Sequence, residues 1–303
     1  MSKELMRTEV GAEWIERDVL RASGVEVTTF LQGQLSQDVT QIEIGSSALS
    51  FVLQPHGKVD AFVRVTRIGE SEFVLDTDVG WGELLVERLN RFKMRTKVDF
   101  EQLDWKVLAL RGNGALAVAG PQSAAAQQPL ISDAHWRQAE GVDLLGIDVD
   151  VPAGASLAGG DFYEALRIES GMPKMGAELD DKSIPAEAGV NELAISFDKG
   201  CYTGQELVAR IDSRGNNVAR HLRGLVLEGT EVPLAGSSVV AAGPVLRGAK
   251  PWGRVTSAAF SSARNAPVAL AYVRRDIFPP REAMVEVDEV MVPCRIEKLP
   301  LLP

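Results

Sequence analysis

The most informative stretch of this 303-residue chain is FDKGCYTGQELVAR, residues 197–210. Thr203 and Glu206 have the spacing of a capping box, in which a hydroxyl group and a carboxylate three residues later satisfy free N–H groups at a helix start. The spacing predicts a helix that begins at about Gly204. Cys201 then lies just before the N-terminus of that helix.

Two features of this stretch favour a reactive Cys201. The partial positive charge at a helix start and the nearby ammonium group of Lys199 both favour thiolate over thiol. Gly200 and Gly204 allow a ligand to approach the backbone closely, and free amides at a helix start can bind a carboxylate or a phosphate. A small buried cysteine in a tight turn is equally compatible with the spacing. Both interpretations stay open on these residues alone.

Length and composition predict a folded globular protein of two or three domains. The chain is 45% hydrophobic and 24% charged, as ordinary globular proteins are, and 303 residues exceed one average domain. The formal net charge is −10. Because nucleic-acid affinity depends largely on Lys and Arg side chains that neutralise phosphates, we expect no direct binding of nucleic acid.

The sequence favours a cytoplasmic protein with no membrane partner. No segment approaches the roughly 20 apolar residues needed to cross a bilayer, and the acidic N-terminal residues argue against a signal peptide. Cys201 and Cys294 are far apart and lack the pattern of a disulfide framework or a zinc site. The three histidines show no metal-ligand spacing either, so we expect no metal site.

Hydrophobic periodicity predicts an α+β protein. Helical spacing of apolar residues indicates helices at 25–35 and 81–92, and a strand at 14–20 precedes the first of them. The capping-box spacing of Asp161 and Glu164 predicts a third helix at 161–170. After Arg223 the chain becomes a series of short Val-rich and Ala-rich runs separated by Gly and Pro. Such a series is typical of a small β-barrel or sandwich.

Several stretches carry longer and more specific motifs. Residues 199–210 match K-G-C-[FY]-x-G-Q-E-x-x-x-[KR] at every position, and residues 30–39, FLQGQLSQDV, match F-L-Q-G-Q-x-[ST]-x-D-V. Both patterns are those of the YgfZ family, which this chain therefore resembles. Residues 166–171 and 184–187 resemble the L-R-x-E-A-G and P-x-E segments of the related glycine-cleavage T-protein, and residues 253–257 are similar to its C-terminal domain.

The resemblance implies an α+β fold of three domains, arranged as a T-protein-like cloverleaf around a central folate pocket. The first is a discontinuous folate-binding domain made from residues 1–47 and 145–222. Residues 48–144 form a second α+β domain, and residues 223–303 form a C-terminal β-barrel. The cofactor implied by the resemblance is tetrahydrofolate or a derivative of it.

The resemblance also implies site residues. Cys201 is the expected reactive thiol, with Lys199 as a second catalytic candidate. Glu169 and Glu187 are expected near the ligand, since a carboxylate can accept two parallel hydrogen bonds from the ring N–H and amino group of a pterin. Without the resemblance, Glu169 would be interpreted as a solvated helix position. The further candidates for folate binding are Gln34, Asp60, Gln205 and Arg210.

One segment departs from the T-protein, which places the second acid of a G-G-x-x-D-D segment near its folate. An ungapped alignment puts Ala61 and Phe62 opposite the two acids, and a one-residue gap restores only the first, as Asp60. Neither Ala nor Phe can orient the folate nitrogen that receives the one-carbon unit, or accept its proton. We therefore expect no T-protein activity.

The function implied by the resemblance is that of a folate-dependent accessory protein for iron–sulfur cluster assembly or repair. Such a protein sustains cluster-containing enzymes, including tRNA-modifying ones, and its expected partners are those enzymes or assembly proteins. Two cysteines cannot supply the four thiolates of a stable cluster. The alternatives are a folate-dependent aminomethyl- or methyltransferase that acts on a small amine, and a non-catalytic scaffold for a protein partner.

Overall fold

The computed structural model describes residues 10–121, 128–243 and 250–301. Within these residues the strands form two five-stranded sheets and a closed six-stranded barrel. In spatial order, the first sheet contains β10 (Ala155–Leu157), β1 (Val10–Ile15), β7 (Lys106–Arg111), β9 (Gly141–Gly146) and β8 (Leu130–Asp133). β1 and β10 are parallel, and the other neighbouring strands are antiparallel.

The second sheet is antiparallel and is covered by side chains on both faces. In spatial order it contains β3 (Ser47–Leu53), β4 (Val59–Gly69), β5 (Glu72–Asp78), β2 (Arg17–Ser23) and β6 (Asp99–Leu103). One face packs against helices α1 (Val27–Gln34) and α2 (Gly82–Lys93). The other face packs Phe51 and Phe62 against residues from the 172–208 segment.

The barrel closes the C-terminal part of the chain. Its strands, in the order in which they pair, are β11 (Arg220–Leu227), β14 (Ala266–Arg274), β13 (Gly253–Ser261), β12 (Ser238–Ala241), β15 (Arg281–Val287) and β16 (Val290–Glu297), which pairs back with β11. Closure leaves no unpaired sheet edge. The predicted β-barrel is confirmed, and it begins at Arg220 rather than after Arg223.

The remaining α-helices either follow β7 of the first sheet or lie between β10 and the barrel. They are α3 (Ala115–Ala119), α4 (Phe162–Ser170), α5 (Pro185–Ala188), α6 (Asn191–Ala194) and α7 (Gln205–Asp212). Ala165 and Ile168 of α4 pack against Leu222 and Leu270 of the barrel. The helices predicted at 25–35, 81–92 and 161–170 correspond to α1, α2 and α4, so these predictions are confirmed to within two residues.

The single strand predicted at 14–20 is wrong. The chain breaks at Glu16, so that β1 pairs with β7 and β10 in the first sheet while β2 pairs with β5 and β6 in the second. The local pattern is extended on both sides of the break. Because such a pattern does not specify pairing partners that lie 49 to 145 residues away, it could not separate the two strands.

The two sheets also bear on the predicted domain division at residue 47. Each sheet takes strands from both sides of that position, since β1 joins β7 and β2 joins β3, β4 and β5 in their sheets. Residues 1–9 of the predicted first domain lie outside the described residues. The domain boundaries themselves stay a prediction. In the described ranges, no helix is both long enough and apolar enough to cross a membrane.

Candidate functional site

Cys201 lies on an exposed loop that leads into α7. The helix begins at Gln205, and its N-cap is Gly204, which has a left-handed φ of 84°. The predicted capping box of Thr203 and Glu206 does not form, because no side chain caps this helix. Instead Oε1 of Gln205 accepts a hydrogen bond of 2.9 Å from the backbone N–H of Tyr202. Gln205 therefore fixes the loop one residue after the cysteine.

The ammonium group of Lys199 ties this loop to the end of α1. Its Nζ donates to the carbonyl oxygens of Gln32, Leu35 and Gln37, each at 2.8 Å. Burial lowers the pKa of Lys199 to about 8, so the charged form still dominates at neutral pH. Three carbonyl oxygens match the three protons of an ammonium group, which leaves Lys199 no donor for a substrate. We therefore interpret Lys199 as a structural residue that binds carbonyls in the last turn of α1 and in the residues just after it.

Backbone bonds extend the contact between the two motif segments. The N–H of Thr203 donates to Gly33 O at 3.1 Å, and the N–H of Ser196 donates to Ser36 O at 3.0 Å. The hydroxyl group of Ser36, which is fully buried, donates to Ala194 O at 2.6 Å. Residues 194–203 are thus bound along residues 32–37. The two sequence motifs form one rigid unit that presents the thiol of Cys201 to solvent.

Arg88 of α2 donates hydrogen bonds to two of the predicted folate-binding residues, Asp60 and Gln34. Its Nε donates to Asp60 Oδ2 at 2.8 Å, its Nη1 to Gln34 Oε1 at 3.2 Å and its Nη2 to Leu53 O at 2.9 Å. Asp60 sits at a bulge of β4, where the pairing shifts from Val52–Ala61 to Leu53–Val59. The bulge interrupts the strand's alternation and lets Asp60 reach α2. The side chain of Asp60 is 25% exposed and lines neither described pocket.

The two predicted ligand-binding glutamates contact the barrel. Oε1 of Glu169 accepts from Ser261 Oγ at 2.7 Å and from Arg264 Nε at 3.1 Å. Oε2 of Glu187 accepts from Arg220 Nε at 3.0 Å. Both are buried, but neither lines a described pocket. Arg210, the remaining candidate, is exposed on the last turn of α7.

A second group of residues forms a pocket between the two sheets and α4. We call it the central pocket, and its polar and aromatic lining includes Arg17, Asp78, Arg111, Trp136, Asp143 and Tyr163. Phe62 and Arg64 of β4 also line it. Its free volume is about 50 Å³, which holds only a few water molecules. Cys201 does not line this pocket.

The floor of the central pocket is a chain of buried ion pairs. Asp143 accepts from Arg64 Nη1 at 2.6 Å and from Arg111 Nη1 at 2.7 Å. Arg64 Nε also donates to Asp76 at 2.9 Å, and Asp76 pairs with Arg17. Burial opposes the charge on Asp143, but Arg111 and Arg64 outweigh it and lower the pKa of Asp143 to about 2.

The rings of Trp136 and Tyr163 pack against the guanidinium group of Arg111. The guanidinium carbon of Arg111 lies 4.2 Å from the ring centroid of Trp136 and 5.2 Å from that of Tyr163. The two rings are 5.0 Å apart at a tilt of 56°. Nε of Arg111 is buried and has no hydrogen-bond partner. The pocket therefore offers flat apolar faces next to charged groups, with one buried donor unused.

The charged residues of this pocket were not predicted as site residues, although the sequence contains a signal for them. Arg64 and Asp143 each stand between two apolar residues of a strand, Asp76 and Arg111 follow apolar runs, and all four are buried. A lone charge within a buried strand requires a partner, because burying an unpaired charge costs several kcal/mol. The sequence does not say which charges pair. In the described part of the chain, no cluster of three His, Cys, Asp or Glu residues could hold a metal ion.

Comparison with known proteins assigns the chain to a family. Residues 220–302 match the family model of the glycine cleavage T-protein C-terminal barrel domain. The chain is 31% identical over 235 residues to the tRNA-modifying protein YgfZ of Klebsiella pneumoniae strain 342, covering 72% of this chain and 71% of that protein. The chain belongs to the YgfZ family.

Two further comparisons connect this YgfZ family member to the T-protein. It is 36% identical over 143 residues to an aminomethyltransferase of Streptomyces avermitilis, a match that spans 46% of this chain and only 37% of that protein. Its structure matches the glycine cleavage system aminomethyltransferase T from Bartonella henselae with a TM-score of 0.79 and 19% identity, over 99% of this chain and 88% of that one. The predicted T-protein-like α+β fold is confirmed.

The donor set of the central pocket fits a pterin. Asp78 is a carboxylate whose oxygens each accept one hydrogen bond, from Arg17 Nη1 at 3.1 Å and from the N–H of Met175 at 2.8 Å, so each keeps a lone pair. Trp136 and Tyr163 offer ring faces for stacking. Since the free volume is about 50 Å³, a pterin ring requires a lining side chain to move aside.

Proposed function

We propose that this YgfZ family member is a tetrahydrofolate-binding accessory protein that acts in the cytoplasm and supports iron–sulfur cluster assembly or repair. Through that role it sustains cluster-dependent enzymes, including those that modify tRNA. The observation that carries the proposal is the 31% identity to a tRNA-modifying protein YgfZ over 71% of that protein. Its partners are then cluster-assembly proteins or cluster-containing enzymes, which it contacts without binding nucleic acid.

In this proposal the central pocket holds the pterin. Asp78 accepts hydrogen bonds from the ring N–H and the amino group, and Tyr163 and Trp136 pack against the ring. When bound, tetrahydrofolate supplies a carrier for a one-carbon unit. We assign Glu169 and Glu187 a different role from the one predicted, which is to hold the barrel against the rest of the chain, because their hydrogen bonds go to barrel residues.

A titration with tetrahydrofolate tests both the proposed pterin pocket and the structural role assigned to Glu169. We expect saturable binding to the wild type. The dissociation constant of Glu169→Gln should lie within about twofold of the wild-type value, since Glu169 lies outside the pocket. The same substitution should lower the free energy of unfolding by about 1–3 kcal/mol, because Arg264 loses its buried ionic partner. Asp78→Asn should weaken binding instead. The absence of binding to the wild type would disprove the folate role.

Cys201 has its own test, since it lies outside the central pocket. In a deletion strain, we expect Cys201→Ser to restore no more than about one tenth of the cluster-dependent enzyme activity that the wild type restores. Its affinity for folate should be unchanged. The control is Cys294→Ala, which removes the other thiol; Cys294 is buried in the barrel, and burial raises its pKa to about 12. Full complementation by Cys201→Ser would remove the thiol from the proposal.

The alternative function, transfer of an aminomethyl or methyl group from a small amine, has one observation against it. Phe62 lines the central pocket at the position where the ungapped alignment expects an acid of the T-protein. Nothing at that position can orient or accept a proton from a folate nitrogen. Turnover of an amine by the purified protein with tetrahydrofolate would favour the alternative.

A further inference from the structure

A second cavity lies between the barrel and the segment that follows α4. We call it the barrel groove; it has a volume of about 690 Å³ and is lined by Glu164, Lys174, Leu234 and Thr256, among others. Lys174 lines both this groove and the central pocket. The two cavities therefore meet at one lysine side chain.

The ammonium group of Lys174 is only partly used. In the described structure its acceptor is Oε1 of Glu164, at 3.2 Å, and 38% of its side chain is exposed. An ammonium group has three donors, so two remain for water or a ligand. Among the described residues that line the barrel groove, Lys174 is the only cation.

Glu164 does not depend on Lys174. Arg167 binds it through two hydrogen bonds, Nε to Oε2 at 2.8 Å and Nη2 to Oε1 at 2.7 Å. Burial opposes ionisation of Glu164, but Arg167 outweighs it, with Lys174 as the smaller contribution, and the pKa falls to about 2. Lys174 can consequently turn toward a ligand without leaving Glu164 unpaired.

We propose that the barrel groove is a subsite for the glutamate tail of the folate, and that Lys174 binds one of its carboxylates. This inference rests on the proposed function. A folate is a flat ring joined through an aminobenzoyl group to one or more glutamates. A ligand whose ring occupies the central pocket extends past Lys174 into the groove, where the tail's negative charges meet the one cation. Lys174 then determines the preference for polyglutamylated over tail-free folates.

The test compares three probes by titration: 5-formyltetrahydropteroate, which has no glutamate, and the monoglutamate and triglutamate of 5-formyltetrahydrofolate. For the wild type we expect the triglutamate to bind about threefold to tenfold more tightly than the tail-free probe, with the difference shrinking as salt is added. Lys174→Met should abolish the difference in affinity between the triglutamate and the tail-free probe. Lys174→Arg should retain it, and Lys106→Met, an exposed lysine on β7 outside both cavities, should change nothing.

The outcomes separate this inference from the function on which it rests. If the wild type binds the three probes equally, or if Lys174→Met keeps the preference for the tail, the subsite is wrong while folate binding stands. If the wild type binds none of the probes, both proposals fail. Equal weakening of all three probes by Lys174→Met would show that the lysine supports the pocket rather than the tail, and would also overturn the subsite.

Discussion

Substitution of Asp143 by Ala is expected to destabilise the protein by about 3–5 kcal/mol, the cost of removing one partner from a buried ion pair. Asp143 accepts hydrogen bonds from Arg64 and Arg111, whose side chains are 3% and 1% exposed. Without the carboxylate, two guanidinium groups stay buried and Arg111 keeps no ionic partner in the described structure. The free energy of unfolding from urea titration measures the effect.

A surface pair provides the control for this substitution. Arg21 and Glu101 lie 2.5 Å apart, but their side chains are 44% and 57% exposed. Glu101→Ala should therefore change the free energy of unfolding by less than about 1 kcal/mol. Equal effects at Glu101 and Asp143 would mean that the buried ion pairs do not hold the central pocket together.

The same carboxylate should make stability depend on acid pH. The pKa of Asp143 is lowered from 3.8 to about 2 in the folded protein. A lowered folded-state pKa contributes stability that is present above the unfolded pKa, near 4, and is lost as the pH falls through about 2. Since one pKa unit corresponds to about 1.4 kcal/mol, a shift of just under two units corresponds to about 2.5 kcal/mol, and unfolding curves between pH 5 and pH 2 should show a loss of about 2 kcal/mol in the wild type. Asp143→Ala should show a smaller one.

Much of the fold could be predicted from the sequence because its signals are local. The spacing of Val27, Phe30, Leu31 and Leu35 gave α1, and all four side chains are buried. The short runs after Arg223 predicted a small β-barrel or sandwich, because they are separated by turn residues, and the family resemblance chose the barrel. The helix after Cys201 was predicted to begin at Gly204 and begins at Gln205.

What the sequence could not supply is long-range pairing. Glu169 and Ser261 are 92 residues apart, and Arg64 and Asp143 are 79 apart. No local pattern specifies which buried charge meets which, so the glutamates were predicted in the pocket and the arginines of the pocket were missed. Lys199 was predicted beside the thiol because it is near in sequence. In the structure its ammonium group is bound by carbonyls more than 160 residues away.

The two glycines that flank Cys201 allow a direct test of the rigid unit formed by the motif segments. A Cβ at Gly204 would lie 2.5 Å from Gln54 O and 2.7 Å from Leu53 Cβ, and φ there is +84°. Gly204→Ala should therefore lower the free energy of unfolding by about 2–4 kcal/mol, from the left-handed backbone and the overlap together. A Cβ at Gly200 meets nothing within 4 Å, and φ is not positive there. Gly200→Ala should change stability by less than about 0.5 kcal/mol.

Gly204→Ala and Gly200→Ala also show whether function requires the thiol at a fixed position or only requires that the thiol be present. Both variants keep Cys201, and only Gly204→Ala shifts the loop against residues 53–57, which Arg88 holds through Leu53 O. If complementation of a deletion strain requires the cysteine at a fixed place, activity should fall in Gly204→Ala and persist in Gly200→Ala at temperatures where both are folded. Equal activity of the two folded variants would show that the thiol works without a fixed loop position. The contact between residues 194–203 and residues 32–37 would then serve stability alone.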